Sequence, residues 1–320
     1  MITLDTIQTA HDRIRPYIHR TAVLTNQTIN DRAGAELFFK CENFQKIGAF
    51  KARGGLNAVL QVAQNKEGAA ITTHSSGNHA QAVAFAARQV GLPAYIVMPR
   101  TAPRVKKEAV LGYGAEVIEC EPTLEAREAG VRAVMQRTGA VLVHPFDDDR
   151  VIAGQATAAK ELIEDARLDG LGQDQPFDVI LAPVGGGGLL SGTALATHYL
   201  SPGTRVIAGE PEGAADAILS FRSGQVEKAP YINTIADGLM TTLSERTLAI
   251  IQAHVTDILT VSDAEIIAAM RLVWERMKII IEPSCAVPLA AVLKHREQFA
   301  GQKIGIILTG GNVDLGKLPF

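Results

Sequence analysis

Val179-Ile180-Leu181-Ala182-Pro183-Val184-Gly185-Gly186-Gly187-Gly188-Leu189 places an apolar, strand-like run directly before four glycines, and the helix-like stretch Leu189–Leu200 follows. Four glycines in a row cost backbone entropy and give nothing to pack. A strand, a glycine loop and a helix in that order can aim several backbone N–H groups and a helix dipole at an anion. No Lys-Ser/Thr follows Gly188, so the loop is not a Walker A sequence. Gly185 and Gly187 fit GxGxxG, but Leu190 stands where its third glycine belongs. A phosphate cup without a nucleotide motif points to a phosphorylated cofactor.

Outward from this unit, short apolar runs alternate with Ala-rich segments of helical spacing. The runs are 70–73, 94–98, 116–120, 141–144, 179–183, 205–210, 257–261 and 303–308, and the expected helices include 79–90, 124–138, 152–165 and 263–278. This alternation predicts an α/β fold of parallel sheets covered by helices. Ligands in such folds collect at the carboxyl ends of the strands. Residues 165–176 read as an exposed loop.

The segments after the other strands carry the remaining chemistry. After 70–73 comes His74-Ser75-Ser76-Gly77-Asn78-His79, whose hydroxyl, amide and helix N-terminal donors suit a carboxylate. Lys51 stands where the apolar, glycine-containing turn Lys46-Ile47-Gly48-Ala49-Phe50 becomes a helix. Such a setting can desolvate an amine and favour Schiff-base chemistry, although Lys51 alone also reads as a surface lysine opening a helix. Thr309-Gly310-Gly311-Asn312 comes after 303–308 and adds a hydroxyl at a strand end. Glu210 and Asp216, with the carbonyl of Ala214 between them, are oxygen ligands of the kind that Mg²⁺, Mn²⁺ or Ca²⁺ takes; their spacing also suits an ordinary loop.

Composition narrows the class. The chain of 320 residues is 47% hydrophobic and 20% charged, enough for a large core. Its formal net charge of −3 argues against nucleic acid as a partner, and Arg104, Lys106 and Lys107 read as the solvated face of a helix. Cys41, Cys120 and Cys285 show no CxxC or metal spacing, and Cys41 and Cys120 read as buried thiols in strand-like runs. No membrane-length apolar run and no signal-like N-terminus occur, so a cytoplasmic protein without a membrane partner is expected.

Together these segments resemble the fold-type-II enzymes of pyridoxal 5′-phosphate (PLP), of tryptophan synthase β-like fold. The resemblance is strongest to the serine/threonine dehydratase family, with its serine racemases and 3-hydroxyaspartate dehydratases. It runs through Phe39–Lys46, Gly48–Lys51, Ser75–His79, the tetraglycine loop, Glu210-Pro211, Thr234–Gly238, Trp274–Lys278, Ile281–Pro283 and Thr309–Asp314. It implies a large PLP-binding domain of residues 1–66 and 144–320 and a small domain of residues 67–143, with the cofactor in the cleft. Lys51 would hold PLP as a Schiff base next to Phe50, while Gly185, Gly186, Gly187, Gly188 and Leu189 take its phosphate. Asn78 would meet the ring hydroxyl and Thr309 the ring nitrogen. Ser75, Ser76, Asn78, His79, Arg127 and Thr241 would contact a small amino-acid substrate, with Lys51 and Ser76 as bases on opposite faces. Glu210, Ala214 and Asp216 would hold a divalent cation, and the protein would be a homodimer.

The implied activity is a dehydratase (ammonia-lyase) that turns L-threonine, L-serine or 3-hydroxyaspartate into a 2-oxo acid and ammonia. Serine racemisation by the same machinery is the alternative, and a non-catalytic amino-acid sensor is the alternative of another class. Ile47-Gly48-Ala49-Phe50-Lys51 lacks the two hydroxyls the family carries before its lysine, which weakens an ATP site although Lys46, Gln81, Tyr113, Lys278 and Asn312 match. Phe146 replaces an asparagine of some racemases and favours elimination. Arg127 falls where a second substrate carboxylate would lie, as 3-hydroxyaspartate has, but reads equally as an exposed helix arginine.

Overall fold

The computed structural model describes residues 1–102 and 104–320. Among the described residues, ten strands form two sheets. One is β1 (Val23–Leu24), β2 (Glu36–Cys41), β10 (Lys303–Leu308), β7 (Val179–Pro183), β8 (Arg205–Pro211) and β9 (Asp257–Val261), adjacent in that order. Only β1 runs antiparallel to its neighbour. The other is fully parallel, in the order β5 (Glu116–Cys120), β4 (Ala94–Pro99), β3 (Ala70–His74), β6 (Ala140–Leu142).

The strands read as near-continuous apolar runs because helices cover both faces. All of β7 is buried, as is β10 from Ile304 onward. One face of the larger sheet packs on helices Asp263–Met277 and Pro283–Lys294, through residues such as Ile266, Val273 and Leu289. The other packs on helices Asp149–Leu168 and Gly188–Leu200, through Ile152, Leu162 and Leu190. The smaller sheet covers Ile71 and Ile96 with Val59, Val83 and Ala87 from helices Lys51–Asn65 and Asn78–Val90.

The expected strands at 116–120, 179–183, 257–261 and 303–308 form with those bounds. Several expectations need correction. The last strand of the smaller sheet is Ala140–Leu142, because only residues 140–142 pair with β3. The expected loop starts later: the helix runs on to Leu168, and Asp165 is an ion-pair partner of Arg20 and Lys40. That helix also starts earlier, since the Asp148 carboxylate accepts from the Arg150 N–H and caps it at Asp149. Cys41 is buried as expected, but Cys120 is half-exposed at the end of an edge strand. Finally, Lys106 and Lys107 are ion-paired to Asp237 and Glu119, and only Arg104 fits a solvated face. No helix among the described residues is long and apolar enough to cross a membrane.

Candidate active site

Several helices of the fold begin with a side-chain cap, as at Thr3, Thr123, Asp148, Ser244 and Ser262. The helices opening at Lys51, Asn78 and Gly188 have none. At the helices opening at Asn78 and Gly188 the first N–H groups therefore lack a side-chain acceptor and can serve an external anion. In the Lys51 helix, by contrast, Ala52, Arg53 and Gly54 already donate to the Ala49 and Phe50 carbonyls and to Gln155 Oε1. The chain leads into the three helices from β2, β3 and β7, at the carboxyl ends of those strands.

Lys51 is anchored from both sides of the site. The Phe50 N–H donates to the Thr309 carbonyl at 3.0 Å, and Gly311 donates to the Gly48 carbonyl at 2.9 Å. The Lys51 ammonium donates to the Pro145 carbonyl at 2.8 Å. Burial lowers its pKa from the ordinary 10.5 to about 8, because desolvation disfavours the charged form. Thr309 is buried, and its hydroxyl has no partner. A buried, unsatisfied hydroxyl at a strand end is a group waiting for a ligand atom.

The glycine loop is compressed from behind. A Cβ on Gly186 would lie 2.2 Å from the Phe146 ring, and Gly187, at φ +86°, would meet Thr247 at 2.7 Å. A side chain at either position would displace its neighbour or strain the backbone. Phe146 in turn stacks edge-on to His144, with ring centroids 4.7 Å apart. His144 Nδ1 accepts from the Asp147 N–H at 2.9 Å. Burial, followed by the field of His74, drives its pKa down to about 4, so the ring is neutral.

The Ser75–His79 turn faces this assembly. Asn78 Nδ2 donates to Glu282 Oε1 at 2.9 Å, and Asn78 Oδ1 accepts from Asn312 Nδ2 at 2.8 Å. The amide is thereby oriented, and one of its N–H donors stays free. Ser75 and Ser76 are half-buried. The imidazole of His79 is committed elsewhere: its Nε2 donates to the Val143 carbonyl at 3.0 Å, and its buried Nδ1 has no partner. Burial and then Lys51 hold its pKa well below the ordinary value. What His79 offers an anion is its main-chain N–H.

Glu282 had no role assigned from sequence. It is buried, and burial followed by the nearby Asp237 raises its pKa to about 8. Its partner Asn78 stands 204 positions away along the chain, so no local pattern could reveal it. Pro145 was missed for a simpler reason, since it contributes a backbone carbonyl. Arg127 lies on the rim: it is half-exposed, its Nε donates to the Thr123 carbonyl at 3.2 Å, and its charge reaches His74. Thr241 is exposed, two residues before the buried Leu243 that backs Gly187. Of the ATP positions, Asn312 is taken up by Ile47 and Asn78, and Lys278 Nζ by the Glu275 carbonyl.

The acidic pair at the end of β8 and just after it lies apart from Lys51 in the chain and is buried. Glu210 accepts from the N–H groups of Ala217 and Ile218 at 2.6 and 3.0 Å, while Asp216 Oδ2 has no partner. Burial pushes Glu210 up to about 8, with Asp216 adding to it, and pushes Asp216 up to about 6. Ala214, between them, is buried as well.

Fold and site define an α/β enzyme that presents a lysine amine, a glycine loop and uncapped helix ends together at the strand carboxyl ends. A family model described as pyridoxal-phosphate dependent enzyme matches residues 14–310. The β-hydroxyaspartate dehydratase of Paracoccus denitrificans (strain Pd 1222) is 49% identical over 318 residues, which is 99% of this chain and 98% of that protein. The solved serine racemase of Dictyostelium discoideum matches with a TM-score of 0.91 at 48% identity, over 98% of this chain and 99% of that one. A solved T.th. threonine deaminase matches with a TM-score of 0.91 at 44% identity, over 98% of this chain and 99% of that one. The chain belongs to the pyridoxal-phosphate dependent enzymes.

Proposed function

We propose that this protein is a PLP-dependent ammonia-lyase that converts a β-hydroxy amino acid, 3-hydroxyaspartate first among them, to a 2-oxo acid and ammonia. The observation that carries the reading is the Lys51 amine, with its pKa brought to about 8 and held at Pro145, on a helix that shares the site with the glycine loop and Thr309. The similarity to a β-hydroxyaspartate dehydratase supports the substrate class.

The residues present fit the cofactor. Gly185–Gly188 and Leu189 would take its phosphate at an uncapped helix start, Lys51 would hold it covalently beside Phe50, and the free Asn78 N–H would meet its ring hydroxyl. The unpartnered Thr309 hydroxyl would face its ring nitrogen. When bound, the group withdraws electrons from the substrate's Cα. An uncharged hydroxyl at Thr309, in place of a carboxylate, leaves that withdrawal moderate and suits loss of a β-substituent.

The chain's own residues supply the rest. Main-chain N–H groups of Asn78 and His79, with the Ser75 hydroxyl, would bind the substrate carboxylate at their uncapped helix end. Lys51, about half of it neutral near pH 8, would take the Cα proton as a general base. Ser76 would stand on the other face, where it could return a proton with inverted configuration. That second reading, serine racemisation, is favoured by the presence of Ser76 and by the likeness to serine racemases. Phe146, packed against Gly186, excludes water from the loop. The four-stranded unit, expected over residues 67–143, carries the Ser75–His79 turn and would close over bound substrate.

Glu210, Asp216 and the Ala214 carbonyl would hold a divalent cation, since they offer buried oxygen ligands of the kind such ions take and Asp216 Oδ2 has no partner. We also expect a homodimer, acting on small molecules and located in the cytoplasm.

A panel of 3-hydroxyaspartate, L-serine and L-threonine, assayed for ammonia and for enantiomer, tests the ranking. The expected result is 2-oxo acid formation faster than L/D interconversion. D-serine accumulating faster than pyruvate would reverse it. Ser76→Ala should suppress interconversion by about 10²-fold and spare elimination of the enantiomer that Lys51 serves; equal loss of both would refute the two-face assignment.

A further inference from the structure

We infer that Arg53, buried two residues after Lys51, is a positioning residue that holds the Lys51 amine against the Pro145 carbonyl. The inference rests on the role proposed for Lys51. Two residues along a helix turn the side chain by roughly 200°, so Arg53 leaves the helix on the face opposite Lys51. There its guanidinium makes five short contacts. Nε donates to Glu42 Oε2 at 2.7 Å, and Nη2 donates to Glu42 Oε1 and Glu161 Oε2, each at 2.7 Å. Nη1 donates to Glu161 Oε1 at 2.9 Å and to the Thr157 hydroxyl at 3.1 Å. A guanidinium has five N–H groups, so none is left over. Lys40, with a fully buried side chain, pairs with Glu161 at 2.9 Å. Lys40 also reaches Asp165 at 3.4 Å, and His11 Nε2 meets Glu161 Oε1 at 3.1 Å, so the buried charges of the cluster are paired within the chain.

The cluster sits where two helices touch backbone to backbone. A Cβ on Gly154 would lie 2.6 Å from the Arg53 carbonyl oxygen and 2.6 Å from Gly54 Cα. The Gly54 N–H also donates to Gln155 Oε1 at 3.2 Å. The Lys51 helix therefore crosses helix Asp149–Leu168 at Gly54 and Gly154. That second helix is fed directly by the segment carrying Pro145, whose carbonyl receives the Lys51 amine. Arg53 fastens both helices at their crossing, through Glu161 and Thr157 on one and its own backbone on the other. Glu42 ties the same point to the turn after β2. One rivet thus fixes both the amine and the carbonyl that receives it.

The readout is PLP capture by stripped protein, followed by visible absorbance across roughly pH 6 to 10, because only a neutral amine attacks the aldehyde. Arg53→Lys cannot engage both carboxylates in bidentate fashion. Gly154→Ala keeps every charge and pushes the helices apart. Both variants should move the capture midpoint upward by about one pH unit, towards an ordinary lysine, as water or an uncompensated carboxylate reaches the amine. Both should also weaken PLP binding by at least about ten-fold. Ile266→Ala, a buried site on a distant helix, serves as the stability-matched control and should change neither quantity.

Wild-type midpoint and affinity in the folded Arg53→Lys or Gly154→Ala protein would overturn the inference, as would an equal shift in the Ile266→Ala control. Should Arg53→Lys not fold, Gly154→Ala decides alone. Failure of the wild-type protein to capture PLP at Lys51 would instead overturn the role proposed for that lysine.

Discussion

Two buried acidic clusters lie in the larger sheet's half of this molecule, and their charges are settled in opposite ways. Glu42 and Glu161 meet Arg53 and Lys40 at 2.7–2.9 Å. Against the effect of burial, hydrogen bonds from His11 and Arg53 and the charges of Arg53 and Lys40 hold Glu161 below the usual carboxylate range. Glu210 and Asp216 meet no cation among the described residues, and burial raises them to about 8 and about 6. The first cluster is complete within the chain. The second has no such cation, and its carboxyls are pushed towards their neutral form by burial. Buried carboxyls therefore shift in opposite directions, according to whether a buried cation faces them.

Breaking the complete cluster should have the larger effect. Arg53→Ala leaves Glu42 and Glu161 buried with only Lys40 and His11 to meet them, and such a loss typically removes about 3–5 kcal/mol. A fall in Tm of several degrees, or failure to fold, is the expected outcome in thermal unfolding; an unchanged Tm would show that the network adds nothing. The pH response follows from the lowered pKa of Glu161. Its contribution is fully present above the unfolded-state value, the ordinary 4.5, and is lost as pH falls towards the folded value, so this cluster should fail in acid.

The incomplete cluster should behave in the reverse sense. With folded pKa values raised above unfolded ones, its contribution is intact below about pH 4 and is lost as pH rises through about 6 and about 8. Chelator-treated protein should then lose stability towards pH 8, and added Mg²⁺ at about a hundred-fold excess over its Kd should restore about 2.7 kcal/mol there. At about pH 5 the same addition should do little. A Mg²⁺ effect independent of pH would assign the ion to other groups. A smaller effect sharpens the substrate side: Arg127→Ala should raise KM for 3-hydroxyaspartate by about ten-fold and leave L-serine unaffected. Equal changes for both would return Arg127 to the exposed face of its helix.

Much of the fold and site is legible in the chain. The tetraglycine run, the Ser75–His79 turn and Thr309 each follow a strand whose apolar run can be read directly, and parallel topology puts all such ends on one side. Lys51 becomes distinctive only in company, because a lysine after a glycine-containing turn is common. The links of Glu282 and Asn312 to Asn78, and of Pro145 to Lys51, stay hidden: they span from 94 to 234 residues in the individual bonds. Arg53 is invisible for the same reason, since its partners stand 11 and 108 positions along the chain. The end of helix Asp149–Leu168 is hidden by charged residues that resemble a loop, whereas Asp165 is tied down by Arg20 and Lys40.

The most direct test reduces the purified protein with borohydride and maps the modified peptide by mass. A visible absorbance band that disappears on reduction is expected, with a phosphopyridoxyl group fixed on Lys51 and none in Lys51→Ala. Label on another lysine, or a protein that takes up no PLP, would contradict the role of Lys51.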